Sequence, residues 1–119
     1  MYNRYERWTK NFFESWKNLE GVKTTELISK NVKYYETALG EPCSSFDDVI
    51  ELWKIVPTNQ SNISYEFEIV AYNTEKCVVN WRMSRIMNNT TTQRIDGIII
   101  FSLDEDDKCS YFKQWRYTE

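Results

Sequence analysis

The sequence contains no histidine, and this absence limits the chemistry that the chain can perform. Histidine is the side chain that most often acts as a general base near neutral pH, and it is the commonest metal ligand. Acid–base chemistry would have to come from carboxylates, tyrosines or lysines, and we expect neither a metal nor a cofactor. The acidic run at residues 104–107 does not alter this expectation, because it lacks the alternating ligand spacing and the glycine of a calcium loop.

Long apolar runs are also absent. No stretch approaches the ~20 apolar residues of a membrane-spanning helix. The first ten residues carry four charged side chains and no apolar block, unlike a secretory signal. These features predict a cytoplasmic protein that makes no contact with a membrane.

Cysteine is scarce and its positions do not pair. Cys43, Cys77 and Cys109 are odd in number and are separated by 34 and 32 positions. This spacing fits neither a disulfide framework nor closely spaced zinc ligands. We therefore expect reduced thiols in a packed interior.

Neither sign of charge dominates the chain. It has 15 basic and 18 acidic residues, a formal net charge of −3, and basic residues scattered among acidic ones. A nucleic-acid-binding protein needs a basic patch, so we predict no nucleic-acid partner.

Aromatic residues are abundant, at 16% of the sequence, with five tryptophans and eight tyrosines. Such side chains carry much of the apolar area of a small protein, and they line a core, a pocket or an interface. A chain of 119 residues is long enough to fold around one core, so residues 1–119 are expected to form one domain.

Helical spacing marks the first half of the chain. Trp8, Phe12, Phe13 and Trp16 recur every three or four positions, which predicts a helix over residues 5–19. A hydroxyl at position 24 or 25 can cap a second helix that runs through residue 30. Ser44 or Ser45 begins a predicted third helix, which ends before residue 57.

Strand patterns follow the helices. Residues 32–37 are β-branched and aromatic and predict a short strand before a turn at 39–42. From residue 62 the apolar period changes to two, and turns near 73, 88–91 and 104–107 separate four strands. Helices followed by antiparallel strands are typical of an α+β domain.

One set of residues, spread over nearly the whole chain, has a distinctive order and spacing. It comprises Trp16, the corner Gly40, Glu41 and Pro42, then Trp53, Trp81, Asp96 and Gly97, and the segment 104–115. In this pattern the chain resembles the nuclear transport factor 2-like, or SnoaL-like, superfamily. The resemblance implies a cone in which three N-terminal helices pack on a curved antiparallel sheet, with a cavity at the wide end.

Members of that superfamily include ketosteroid isomerase, scytalone dehydratase and polyketide cyclases, and also domains that only bind or dimerise, so fold does not fix function. The resemblance to ketosteroid isomerase makes Glu36 the candidate base that removes a proton beside a carbonyl. A carboxylate in an apolar cavity has a raised pKa, which suits this task. The alternative is that Glu36 lies on the outer side of its strand and Tyr35 points inward.

Asp96 is the second catalytic candidate. It interrupts an apolar run, and a protonated acid there could donate a hydrogen bond to a substrate oxyanion, as the resemblance implies. The alternative is an ion pair with Arg82, Arg85 or Arg94 on a neighbouring strand. Helix 1 departs from the isomerase pattern, because it offers Phe12 where those enzymes place a tyrosine hydroxyl.

Seven large side chains are expected to form a cavity wall that holds a small apolar or aromatic molecule. They are Phe12, Trp16, Tyr34, Trp53, Trp81, Met83 and Trp115. A dry core made of the same side chains is the alternative. Arg82 and Arg116 are expected on the outer sheet face, where the resemblance implies a homodimer and where Tyr111 and Tyr117 suit an interface.

Three functions remain open from the sequence. The chain could be a small-molecule-binding domain, an isomerase, cyclase or dehydratase acting on an enolisable ketone with Glu36 as base, or a dimerisation module whose cone is filled by side chains.

Overall fold

The computed structural model describes residues 2–37, 39–43 and 45–119, with helices first in the chain and most of the strands after them. Three helices are present in this part, followed by a short 3-10 turn at Val56–Asn59. The helices are α1 at Tyr2–Lys17, α2 at Gly21–Glu26 and α3 at Phe46–Ile55. The strands are β1 at Ile28–Tyr35, β2 at Gln60–Tyr72, β3 at Cys77–Met87, β4 at Thr91–Leu103 and β5 at Cys109–Thr118.

The first and third predicted helices are present. α1 buries one aromatic face that includes Trp8, Phe12 and Trp16, as its spacing predicts. Ser45 caps α3, where its side chain accepts a hydrogen bond from the backbone nitrogen of Asp48 at 3.3 Å. Ser44, the other predicted cap, lies outside the described residues.

The predicted helix over residues 24–30 is wrong in its bounds. α2 ends at Glu26, and Ile28 already pairs with Cys109 in the sheet. The carbonyl of Leu27 accepts hydrogen bonds from the backbone nitrogen of Cys109 at 2.8 Å and from Trp8 Nε1 at 2.9 Å. These long-range contacts, together with burial of Ile28, outweigh the weak local preference for a longer helix.

The sheet is curved and unclosed, with strand order β1-β5-β4-β3-β2. β2 to β5 pair antiparallel in sequence, as predicted, but β1 pairs parallel with β5. The prediction of a wholly antiparallel sheet is therefore wrong for this one pair. Antiparallel neighbours need only a tight turn, whereas α3 and three strands separate β1 from β5 along the chain.

α1 packs on the inner face of the sheet, and the rings there form the core. Phe13 lies 5.4 Å from Trp81 between ring centroids, and Trp8 stacks on Phe101 at 4.5 Å. Gly97 faces Trp81 across the β3–β4 pair, and a Cβ at that position would come within 2.7 Å of the indole. The absence of a side chain at Gly97 therefore lets the Trp81 ring lie flat across the sheet.

None of the helices in the described part of the chain is both long enough and apolar enough to cross a bilayer.

Candidate functional site

A cavity of about 250 Å³ opens at one end of the inner sheet face, between α1, α3 and parts of the four strands β1, β2, β3 and β5. Its apolar wall is formed by Phe12, Trp16, Tyr34, Leu52, Trp53, Ile55, Val56, Met87 and Phe112. Its polar wall is formed by Glu36, Asn59, Gln60, Arg85, Gln114 and Arg116. The interior is therefore filled by rings beside Trp81 and open beside Trp53.

Aromatic rings make the floor of the cavity rigid. Trp53 packs edge to face against Trp16 and against Phe12, in both cases with centroids 5.5 Å apart. Tyr34 stacks on Phe112 with a centroid distance of 4.4 Å and an interplanar angle of 3°. Such packing fixes ring positions and leaves a preformed apolar surface.

The two indole nitrogens in the floor are hydrogen-bonded inside the protein. Trp53 Nε1 donates to the hydroxyl of Tyr34 at 3.2 Å, and Trp16 Nε1 donates to Gln60 Oε1 at 2.9 Å. Burial holds the pKa of Tyr34 well above its ordinary value, so this hydroxyl keeps its proton at neutral pH. Tyr34 accepts from Trp53 and retains an O–H that can donate to a ligand.

Glu36 follows β1 and lies on the same side of the chain as Tyr34. Gln114 Nε2 donates to its carbonyl oxygen at 3.0 Å and to its carboxylate Oε1 at 3.3 Å. Arg116 Nη1 is 3.8 Å from the same oxygen. The carboxylate thus faces the cavity mouth with its side chain 31% exposed.

Burial raises the pKa of Glu36 above its ordinary value of 4.5, and the guanidinium groups of Arg116 and Arg85 oppose this rise. Partial removal from water penalises the charged form more than the two cations favour it. Glu36 is therefore a weaker acid than a solvent-exposed glutamate.

Arg85 is a nearly buried arginine at the cavity, with 7% of its surface exposed. Its Nε donates to Gln93 Oε1 at 3.1 Å, a neutral partner on β4. Burial, and next the nearby Arg116, lower the pKa of Arg85, while Glu36 opposes them. An arginine nevertheless stays protonated in a protein, so a positive charge is held inside the cavity wall.

Five of the nine predicted site residues meet at this cavity: Phe12, Trp16, Tyr34, Glu36 and Trp53. Trp81 and Met83 are buried on the inner face but lie outside its wall. Trp81 packs on Phe13, and its Nε1 is buried with no hydrogen-bond partner among the described residues.

The prediction that Trp115 lines the cavity and that Arg116 lies outside is wrong. The residues of β5 that point inward are the even-numbered ones from Phe112 onward, not the odd-numbered ones. Phe112 and Gln114 are buried on the inner face, which puts Arg116 inside and turns Trp115 outward with 40% of its surface exposed. Lys113 Nζ sits 5.2 Å from the centre of the Trp115 ring on that outer face.

Asp96 does not face the cavity, so its predicted role there as a hydrogen-bond donor to an oxyanion is also wrong. Its neighbours Ile95 and Gly97 are buried, and alternation along β4 turns Asp96 outward. There its Oδ1 accepts from Asn80 Nδ2 at 2.8 Å and its Oδ2 lies 3.7 Å from Arg82 Nε. The ion pair with Arg82 is the alternative that the sequence left open.

Sequence reasoning missed Arg85 and Gln114 as cavity residues. For Arg85 a signal was present, since the inward alternation through Trp81 and Met83 on β3 reaches Arg85 at its next step. Gln114 was missed because Trp115 was assigned to the inner face. Neighbouring residues on a strand face opposite ways, so that assignment turned Gln114 outward.

No family model and no curated protein matches the sequence. Solved structures of other proteins do resemble this chain. The epoxide hydrolase/cyclase-like enzyme SalBIII, described in pyran ring formation in the polyether salinomycin, superposes with a TM-score of 0.81 at 13% identity. The match covers 97% of this chain and 91% of that enzyme. A superposition this close over nearly the whole chain identifies the fold. The chain has the nuclear transport factor 2-like fold.

Two further structures share the nuclear transport factor 2-like fold with this chain. A ketosteroid isomerase-like protein from Erwinia carotovora atroseptica SCRI1043 has a TM-score of 0.72 at 9% identity, covering 96% of this chain and 94% of that one. A protein of ketosteroid isomerase-like fold from Catenulispora acidiphila DSM 44928, in complex with trimethylamine, has a TM-score of 0.76 at 6% identity. That match covers 91% of this chain and 83% of the other. The resemblance predicted from the sequence is thereby confirmed for the fold.

The raised pKa of Glu36 generates a prediction about stability. A carboxyl whose pKa is raised by folding stabilises the native state while it is protonated, and that contribution is lost as the pH rises through the raised value. Glu36→Gln keeps a neutral side chain at every pH. The free energy of unfolding of this variant, relative to the wild type, should therefore rise as the pH increases from 4.5 upward.

Urea unfolding of both proteins across this pH range measures the difference. Glu66→Gln is the matched control, because Glu66 is an exposed glutamate on the outer sheet face. The prediction would be contradicted if the free energy of unfolding of Glu36→Gln, relative to the wild type, stayed constant or fell as the pH increased.

Proposed function

We propose that this domain binds a small aromatic or apolar organic molecule in the cavity beside Trp53. The observation that carries the proposal is the rigid aromatic floor with several polar groups converging at its mouth. Most ligand sites combine a largely apolar wall with a few well-placed polar groups. The volume of about 250 Å³ is below the roughly 300–1,000 Å³ typical of drug-sized ligands, which favours a compact ring system.

The structural neighbours support the proposal at the level of the fold. SalBIII is described in the closure of a pyran ring, and the Catenulispora protein was solved with trimethylamine. The same architecture thus accommodates small organic molecules in other proteins.

A second candidate function is proton transfer next to a carbonyl group, with Glu36 as the base. It is favoured by the position of Glu36 at the cavity and by its raised pKa, because a general base works best when its pKa approaches the working pH. The Tyr34 hydroxyl, in the same wall, could supply the hydrogen bond to the developing oxyanion that Phe12 lacks.

We also propose that two copies of the chain associate through the outer sheet face. Trp115 and Tyr117 project from β5 there, with 40% and 70% of their surfaces exposed. Arg82 lies on the same outer face, within a mixed array of charges. Exposed aromatic and arginine side chains are enriched in protein interfaces.

Blocking the cavity mouth should abolish ligand binding. Asn59 lies at the mouth, is exposed, and makes no side-chain hydrogen bond among the described residues, so Asn59→Phe should fill the entrance without disturbing the core. We expect its affinity for a one-ring probe such as phenol to fall by about tenfold or more. Calorimetric titration measures this loss, with Asn3→Phe, an exposed site on α1, as the control. Equal affinity of Asn59→Phe and wild type would argue against this cavity.

Proton transfer is tested by isotope exchange. Wild-type protein in D₂O should accelerate loss of the α-proton of an aryl ketone such as 2-tetralone, followed by proton NMR. Loss of a general base costs about 10² to 10⁴ in rate, so Glu36→Gln should show a drop of that order. Glu66→Gln should exchange at the wild-type rate. An unchanged rate in Glu36→Gln would remove this carboxylate from the reaction.

The dimer is tested by molecular mass in solution. Wild-type protein should sediment as a dimer, and Trp115→Glu should sediment as a monomer, because it places a charge in the proposed contact surface. Val22→Glu adds the same charge at an exposed site on α2 and should leave the dimer intact. A wild type that sediments as a monomer would exclude the proposed association.

A further inference from the structure

The charges that line the cavity do not balance. Glu36, Arg85 and Arg116 are the charged side chains among the described residues of its wall. Two guanidinium groups face one carboxylate, so the site carries an excess of one positive charge when Glu36 is ionised, and two when it is protonated. A cavity with this charge attracts anions and repels amines.

Arg85 has no counter-ion in direct contact among the described residues, although Glu36 is near enough to influence its pKa. Within the described part of the chain no carboxylate oxygen lies within 4.0 Å of its guanidinium, and its hydrogen bond goes to the neutral amide of Gln93. The carboxylate of Glu36 is shared by Arg116 at 3.8 Å and Gln114 at 3.3 Å. A charge that is removed from water without a partner in contact is costly, because the attraction of a more distant carboxylate only partly replaces the lost hydration.

We infer that the missing counter-ion is supplied by the ligand, an aromatic monocarboxylate whose carboxylate group is held by Arg85 at the cavity mouth. The inference deepens the proposed binding function and rests on it. The planar guanidinium presents parallel N–H donors that match the two oxygens of a carboxylate. Arg116, on β5 two strands away in the same sheet, also lines the cavity and adds attraction to the same anion.

The rest of the cavity fits the body of such a ligand. The ring would lie on the floor formed by Phe12, Trp16 and Trp53, which contains no unpaired indole nitrogen. When Glu36 is ionised, the cavity wall has a net charge of one positive unit, which a ligand with a single negative charge neutralises. A dianion such as a phosphate ester would reverse that balance, and the cavity of about 250 Å³ has little room for both a phosphate group and a ring.

Three probes of matched shape test the charge of the ligand: phenylacetate, phenylacetamide and phenethylamine. Wild-type protein should bind phenylacetate about tenfold or more tightly than phenylacetamide, the range expected for one charge-assisted hydrogen-bonded contact, and phenethylamine most weakly. Acetate, which lacks the ring, should bind more weakly than phenylacetate. Calorimetry at constant ionic strength and pH gives the four affinities.

Variants then assign the preference to Arg85. Arg85→Met keeps the length of the side chain and removes its charge, so affinity for phenylacetate should fall about tenfold while affinity for phenylacetamide is unchanged. Arg85→Lys should retain part of the preference for the anion. Arg82→Met, an arginine on the outer face of the same strand, should bind all probes as the wild type does.

Thermal unfolding provides a second readout that does not depend on the binding assay. Without ligand, Arg85→Met should unfold at a higher temperature than the wild type, because an unpaired buried charge has been removed. Phenylacetate should raise the unfolding temperature of the wild type, and at the same concentration it should raise that of Arg85→Met by a smaller amount.

Each outcome decides the inference. If phenylacetamide binds the wild type as tightly as phenylacetate, the carboxylate assignment is wrong and the proposed binding function stands. If acetate binds as tightly as phenylacetate, the site holds simple anions and the aromatic assignment is wrong. If none of the ring-bearing probes binds, the proposed function and the inference both fail.

Discussion

The packing of α1 against the inner face of the sheet determines where the interior is filled and where it is open. Phe13 and Trp8 press on Trp81 and Phe101, and burial of each ring of this size contributes about 1.5–3 kcal/mol. Trp81 keeps its place although its buried Nε1 has no partner among the described residues, a loss of about 1–3 kcal/mol. The gain from ring burial offsets that loss, so this half of the cone is solid and the remaining space lies beside Trp53.

The part of the interior around the cavity beside Trp53 is less favourable for stability than the ring-filled part beside Trp81. Glu36 and Arg85 are both held partly or wholly away from water, and burial shifts each pKa toward the neutral form. A fold selected for stability alone would place apolar side chains at these two positions, because replacing buried charges by apolar groups is often neutral or stabilising. Charged groups that weaken the fold and face a cavity are typical of functional sites.

Much of the architecture was predictable from the sequence, because it follows from strong periodic patterns. The spacing of Trp8, Phe12 and Trp16 predicts α1, and alternation through Val79, Trp81 and Met83 predicts the inner face of β3. Patterns of this kind are repeated over several turns or pleats, so an error at one position does not change the assignment. The end of α2 could not be read this way, since Leu27 and Ile28 are fixed by contacts with Trp8 and Cys109 that are distant in sequence.

The candidate site was less predictable, because it depends on the phase of single strands. The pairing of β4 with β5 shifts register between Ser102 and Leu103, next to the acidic run at residues 104–107. This shift sets which residues of β5 point inward. A shift of one residue there exchanges the two faces of a strand. With Trp115 inward the cavity would be apolar and uncharged on that side, whereas with Arg116 inward it carries a cation.

The choice of phase on β5 affects the core as well as the cavity. The opposite phase would turn the buried side chains of Phe112 and Gln114 toward solvent and bring Lys113 to the inner face. The same choice decides whether Glu36 faces a ring or a guanidinium, and whether Arg85 has a neighbouring cation. The register at the rim of the sheet therefore sets the charge of the cavity wall, while the aromatic packing behind the rim sets the shape of the cavity.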